Sequence, residues 1–111
     1  MILATLRMTL PSQKLGEALQ ILRSMAEQVK VWPGCLSCRV YADLEEDDVL
    51  MLEGMWRSEA ELEGHLRSDE YRNVLLVMEM AVREPEIRFD TISGSTGLET
   101  VQRVRGGLVT P

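Results

Sequence analysis

Hydrophobic positions in this chain change period several times, and each change marks an element. Residues 1–10 alternate, with Ile2, Ala4, Leu6, Met8 and Leu10 on one side and Leu3, Thr5, Arg7 and Thr9 on the other. A period of two predicts a strand with one apolar and one amphipathic face. Pro11-Ser12 stops it and opens a helix with Ser12 as N-cap. Leu15, Ala18, Leu19, Leu22, Met25, Ala26 and Val29 form that helix's buried stripe at 3.6 spacing, opposite Lys14, Glu17, Arg23, Glu27 and Lys30. Trp32-Pro33-Gly34 ends the unit, because a proline disfavours helix at the residue before it. A second strand runs over 35–42 and a third over 49–56, joined by Asp43-Leu44-Glu45-Glu46-Asp47-Asp48. The third strand is apolar on both faces: Leu50, Leu52 and Trp56 on one, Val49, Met51 and Met55 on the other. A strand of that kind has to be covered on both sides.

Ser58 with Glu61 three residues on is a capping box and predicts a helix start directly after the third strand. Ser68-Asp69-Glu70 restarts the helix after a break, its acids matched to the positive N-terminal end. Tyr71, Val74, Leu75, Met78, Ala81 and Val82 are its predicted buried stripe, and Pro85 ends it. Residues 86–92 alternate as a last strand. Ser93 to Gly97 read as a linker, and Leu98 to Arg105 as a short helix on Leu98, Val101 and Val104, ended by Gly106-Gly107. The last residues are expected to be mobile. The order strand, helix, strand, strand, helix, strand with right-handed crossovers gives an α+β, ferredoxin-like βαββαβ fold. The sheet is four-stranded and antiparallel, with both helices on one face. Residues 1–93 form the domain and 94–111 a tail. Two helices cover one face only, so the apolar groups on the other predict a homodimer packed sheet to sheet, with a cavity between sheet and helices.

The formal net charge of −6 sets phosphate backbones against the chain, so nucleic acid is excluded as a partner. No apolar run approaches the ~20 residues that span a bilayer, and no signal-peptide pattern opens the sequence, so no membrane partner and a cytoplasmic location are expected. The acidic run 43–48 lacks the glycine-punctuated spacing of a calcium loop and reads as a solvated hairpin tip. Cys35 and Cys38 have no second pair to complete a zinc site. At i and i+3 of a strand they are expected on opposite faces, ~10 Å apart, as two reduced thiols. No metal is expected.

Three local patterns accompany this order of elements: Pro33-Gly34-Cys35 entering the second strand, Trp56-Arg57-Ser58-Glu59 leaving the third, and Ala60-x-Leu62-x-x-His65-x-x-Ser68. Together they resemble the antibiotic biosynthesis monooxygenase family of dimeric α/β barrels. The resemblance implies a barrel closed by two subunits, with one pocket each between sheet and second helix. It also implies oxygenase chemistry without metal or flavin, in which an electron-rich phenolate or enolate passes an electron directly to dioxygen. By the same resemblance Trp56 lines the pocket, and His65, the only histidine, suits base or proton-shuttle work. Tyr41 stands on strand two, where a related oxygenase places a polar pocket residue. Tyr71 points from the second helix towards the sheet. Arg7 and Arg39 sit on strand faces that could hold an anionic oxygen, and Leu52 lies within the pocket wall. Each also has a plainer reading, as a core ring, a helix-end histidine or a rim-exposed group.

The chain departs from the family at telling places. A glutamate that some members carry two residues before the tryptophan is Gly54, with Glu53 on the opposite face. A polar residue four before it is Leu52. Strand one has no asparagine, position 65 is His and position 75 is Leu, which argues against haem degradation. The expected function is therefore cofactor-independent monooxygenation of a small hydroxylated aromatic or quinol-like substrate in an apolar pocket. The alternatives are a dimeric module that binds a small apolar molecule unchanged, and a non-oxidative isomerase on the same scaffold.

Overall fold

A computed structural model describes residues 1–106. The elements are β1 (Ile2–Thr9), α1 (Leu15–Val29), β2 (Cys35–Ala42), β3 (Val49–Trp56), α2 (Glu59–Leu66), α3 (Tyr71–Met80), β4 (Glu86–Thr91) and α4 (Leu98–Val104). The four strands make one antiparallel sheet in the order β2-β3-β1-β4. This is the ferredoxin-like arrangement that the hydrophobic pattern predicts.

The register settles which residues share a face. Ile2, Ala4, Leu6 and Met8 lie opposite Trp56, Gly54, Leu52 and Leu50 of β3, and Ala4 and Leu6 also face Phe89 and Ile87 of β4. Ile2, Leu6, Met8, Leu50, Leu52 and Trp56 form one core with Ala18, Leu22, Met25, Ala26 and Val29 of α1, Leu62 of α2 and Val74 and Val77 of α3, while Ile87 and Phe89 on the same face stay exposed. The opposite face carries Leu3, Met51 and Met55, all half-buried and none packed into that core. The prediction that β3 is apolar front and back therefore holds.

Several local expectations are corrected. Ser12 does not cap α1: a short 3-10 turn, Ser12–Lys14, intervenes. The Ser12 hydroxyl instead bonds the Asp48 carboxylate at 2.5 Å, drawn there because the chain at Leu10 is tied to the Asp48 carbonyl. Leu75 and Val82 are about half exposed, and Val77 takes the buried place. The reason is that α3 ends at Met80, and its contact with α1 turns the Val74–Val77 side inward. The acidic hairpin tip is exposed but ordered by Asp43, whose carboxylate accepts the backbone N–H groups of Glu45 and Glu46 at 2.7 and 3.1 Å and pairs with Arg7.

The cysteines are the largest correction. A β-bulge between Cys35 and Ser37 shifts the register, so that Cys35 faces Trp56 and Cys38 faces Gly54. One extra residue in a strand reverses the alternation beyond it. Both thiols therefore lie on the helix face rather than on opposite faces. Both are free, and burial pushes the Cys38 thiol up to about 11.

α4 forms as predicted, yet Leu98, Val101 and Val104 remain exposed. Among the described residues no helix is long and apolar enough to cross a membrane. The expected mobility of the last residues concerns 107–111, which lie outside the described residues.

Candidate active site

The break between α2 and α3 assembles the site. Ser58 accepts the Glu61 N–H at 3.3 Å and fixes the start of α2. The second limb of the predicted capping box differs, because the Glu61 carboxylate bonds the Ser58 hydroxyl and the Arg57 guanidinium. Eight residues later α2 ends, and Ser68 turns the chain. Its hydroxyl donates to the His65 carbonyl at 2.6 Å and accepts the Tyr71 N–H at 3.3 Å. One serine thus joins the end of one helix to the start of the next and sets His65 beside Tyr71.

His65 is 5% exposed, although it is a polar residue. Its ring stacks on Trp56 with centroids 4.9 Å apart and planes 22° from parallel. Trp32 and Tyr71 meet it edge-on, at 5.7 and 5.3 Å. Three aromatic rings therefore enclose the only histidine. Burial holds its imidazole below the ordinary histidine range, against the weaker upward pull of Glu70. Burial raises the Tyr71 phenol, so that group stays protonated at neutral pH. The Nδ1 of His65 is buried without a hydrogen-bond partner.

Trp56, His65 and Tyr71 line a cleft between the sheet and the α2–α3 corner, and Trp32 backs the His65 ring. Ala4, Leu6, Leu52 and Gly54 floor it, while Leu66 and Tyr71 stand above. Its outer side is the edge strand β4, where Ile87 and Phe89 are 41% and 50% exposed. The interior space is small, ≈ 30 Å³, room for one or two waters. Gly54 leaves room for the Trp56 ring: a Cβ there would lie 3.0 Å from the indole nitrogen, and the ring would have to shift. Cys38 also borders the cleft, its high thiol pKa making it a poor nucleophile.

Of the residues singled out in the sequence, His65, Trp56, Tyr71 and Leu52 come together here. Trp56 is 1% exposed, stacks on His65 and borders the cleft. Tyr41, Arg39 and Arg7 are elsewhere. Tyr41 and Arg39 face away from the core, opposite Met51 and Glu53, at the β2 edge. Arg7 lies on that same second face, paired with Asp43 and Glu46 at 3.1 and 3.3 Å. Trp32 and Phe89 were not among the sequence candidates. Trp32 ends its segment three residues before Cys35, and the Cys35–Trp56 register brings it over the site. Phe89 follows from the alternation of β4, which places it opposite Ala4. Among the described residues no three His, Cys, Asp or Glu side chains group to hold a metal ion.

Solved structures share the fold. A conserved protein from Methanosarcina mazei is 27% identical with a TM-score of 0.75, covering 80% of this chain and 89% of its own. A candidate antibiotic biosynthesis monooxygenase from Deinococcus radiodurans is 15% identical with a TM-score of 0.80, covering 87% and 97%. A similar candidate from Caulobacter crescentus is 21% identical with a TM-score of 0.74, covering 83% and 90%. No protein of curated function matches the chain in sequence. The sequence profile of one family, described as antibiotic biosynthesis monooxygenase, matches residues 1–75. That match spans more than half of the 111 residues, and the chain belongs to the antibiotic biosynthesis monooxygenase family.

Proposed function

We propose that the protein is a cofactor-independent monooxygenase acting on a small hydroxylated aromatic or quinol-like substrate. One observation carries the reading: two neutral polar groups, His65 and Tyr71, meet in a cleft whose lining is otherwise mostly apolar. A flat apolar molecule fits such a lining, and the two groups suit an oxygen atom at its edge. The reaction needs no external reductant. An anthrone CH₂ gives four electrons to dioxygen, one oxygen atom becomes the new ketone, and the other leaves as water with the two hydrogens. The enclosed space, ≈ 30 Å³, is smaller than an aromatic ring, so the proposal requires the lining side chains to part when substrate binds.

The experiment is oxygen uptake by the full chain with a panel of hydroquinones and anthrones, beside His65→Ala and Trp56→Phe. Uptake that falls in both variants supports the proposal, and no uptake across the panel defeats it. A second reading, a module that binds such molecules unchanged, draws on the apolar Leu52 and Gly54. It predicts a co-purified ligand, seen by native mass spectrometry, that persists under air.

The second face of the sheet completes the proposal. Leu3, Met51 and Met55 lie outside the core of their own subunit, and a second copy packed sheet to sheet is proposed to cover them.

A further inference from the structure

The position of His65 limits how it can act. The Nδ1 is buried and has no partner, and the ring it belongs to lines the cleft. A neutral imidazole carries one N–H and one lone pair. A buried N–H without an acceptor forfeits its hydrogen bond outright, so the proton belongs on the other nitrogen, Nε2, which water or a ligand in the cleft would satisfy. The groups around the ring are Trp32, Trp56 and Tyr71, with Glu70 as the nearby charge, and none accepts a hydrogen bond from Nδ1.

We infer that His65 serves the cleft as a neutral hydrogen-bond donor with its proton on Nε2, and that the cleft takes flat molecules presenting an acceptor oxygen to it, such as a quinone, ketone or phenolate. This rests on the cleft being the functional site. It assigns His65 a different task from proton abstraction, because a protonated Nε2 has no lone pair to offer. Tyr71, whose ring meets His65 edge-on and whose phenol burial keeps protonated, is the second donor available to the cleft. Together they form a site that stabilises an oxyanion once the substrate has ionised, so the rate follows the substrate's own acidity.

His65 is the only histidine, so the tautomer can be read without ambiguity. Long-range proton–nitrogen NMR on the full chain labelled with ¹⁵N-histidine, at neutral pH and without ligand, should show the protonated nitrogen to be Nε2. An Nδ1–H tautomer, with its proton on a ring face, or an imidazolium overturns the inference. The second arm is binding of 1,4-naphthoquinone, followed by tryptophan fluorescence. The Gln side chain places an N–H near the position of Nε2, so His65→Gln should bind within about threefold of wild type, whereas His65→Leu should lose about three- to tenfold. Naphthalene, which lacks the oxygen, should bind wild type and His65→Leu alike. Equal losses in Gln and Leu, or no saturable naphthoquinone binding, overturn the ligand assignment. The Nε2–H form without oxygen uptake leaves the donor standing and defeats the oxygenase; the Nδ1–H form with uptake does the reverse.

Discussion

Replacing Gly34 with alanine puts a methyl group where Glu61 already sits. Gly34 has φ +84°, and a Cβ built there falls 2.5 Å from both oxygens of the Glu61 carboxylate. Two costs follow. The left-handed backbone costs an L-residue about 1–2 kcal/mol. The Glu61 side chain must also leave the Ser58 hydroxyl and the Arg57 guanidinium, which loosens the start of α2 and, with it, His65. The first cost alone lowers the melting temperature by about 4–8 °C in a domain of this size. The assay is a double-mutant cycle by thermal or urea unfolding: Gly34→Ala in wild type and in a Glu61→Ala background. The backbone cost remains in both, and the contact cost vanishes in the second, so Gly34→Ala should be milder there. Equal effects in the two backgrounds refute the contact, and a neutral Gly34→Ala refutes the backbone argument as well.

Other outcomes follow from the same geometry. Because burial depresses the His65 pKa, the unfolded chain binds a proton below pH ~6.5 while the folded chain does not. Stability is therefore full above that value and falls as pH drops from it towards the folded-state pKa; His65→Leu should flatten this part of a urea-midpoint profile. Gly54→Leu, which fills the cleft beside Trp56, should abolish naphthoquinone binding, as measured by fluorescence titration. Met51→Glu places a charge on the second face of the sheet and should convert a dimer to monomer in analytical ultracentrifugation at micromolar concentration. A monomeric wild type would refute the proposed second copy.

Much of the fold is legible because alternation is a local signal. β1 and β3 show their faces residue by residue, and α1 shows its stripe. The two-faced apolar pattern of β3 is equally visible, since it needs only Val49, Met51 and Met55 to be read against Leu50, Leu52 and Trp56. What stays hidden is set by register. The bulge at Cys35–Ser37 brings both cysteines to the helix face, and no residue type in Cys-Leu-Ser-Cys announces it. The same pairing turns Tyr41 and Arg39 away from the cleft. His65 and Tyr71 can each be suspected from sequence, yet their meeting depends on the Ser68 hydroxyl bridging two helices. Trp32 escapes notice for a related reason: its neighbour on the site is thirty-three residues away along the chain.

The most direct test of the proposed chemistry is oxidation of anthrone under isotopically labelled dioxygen, with wild type beside the cleft-filled Gly54→Leu. Wild type should place one labelled oxygen atom in each anthraquinone it forms, at a rate above the enzyme-free reaction, and the variant should show only that background rate. Wild type and Gly54→Leu turning over at the same rate, or product without label, would contradict that chemistry.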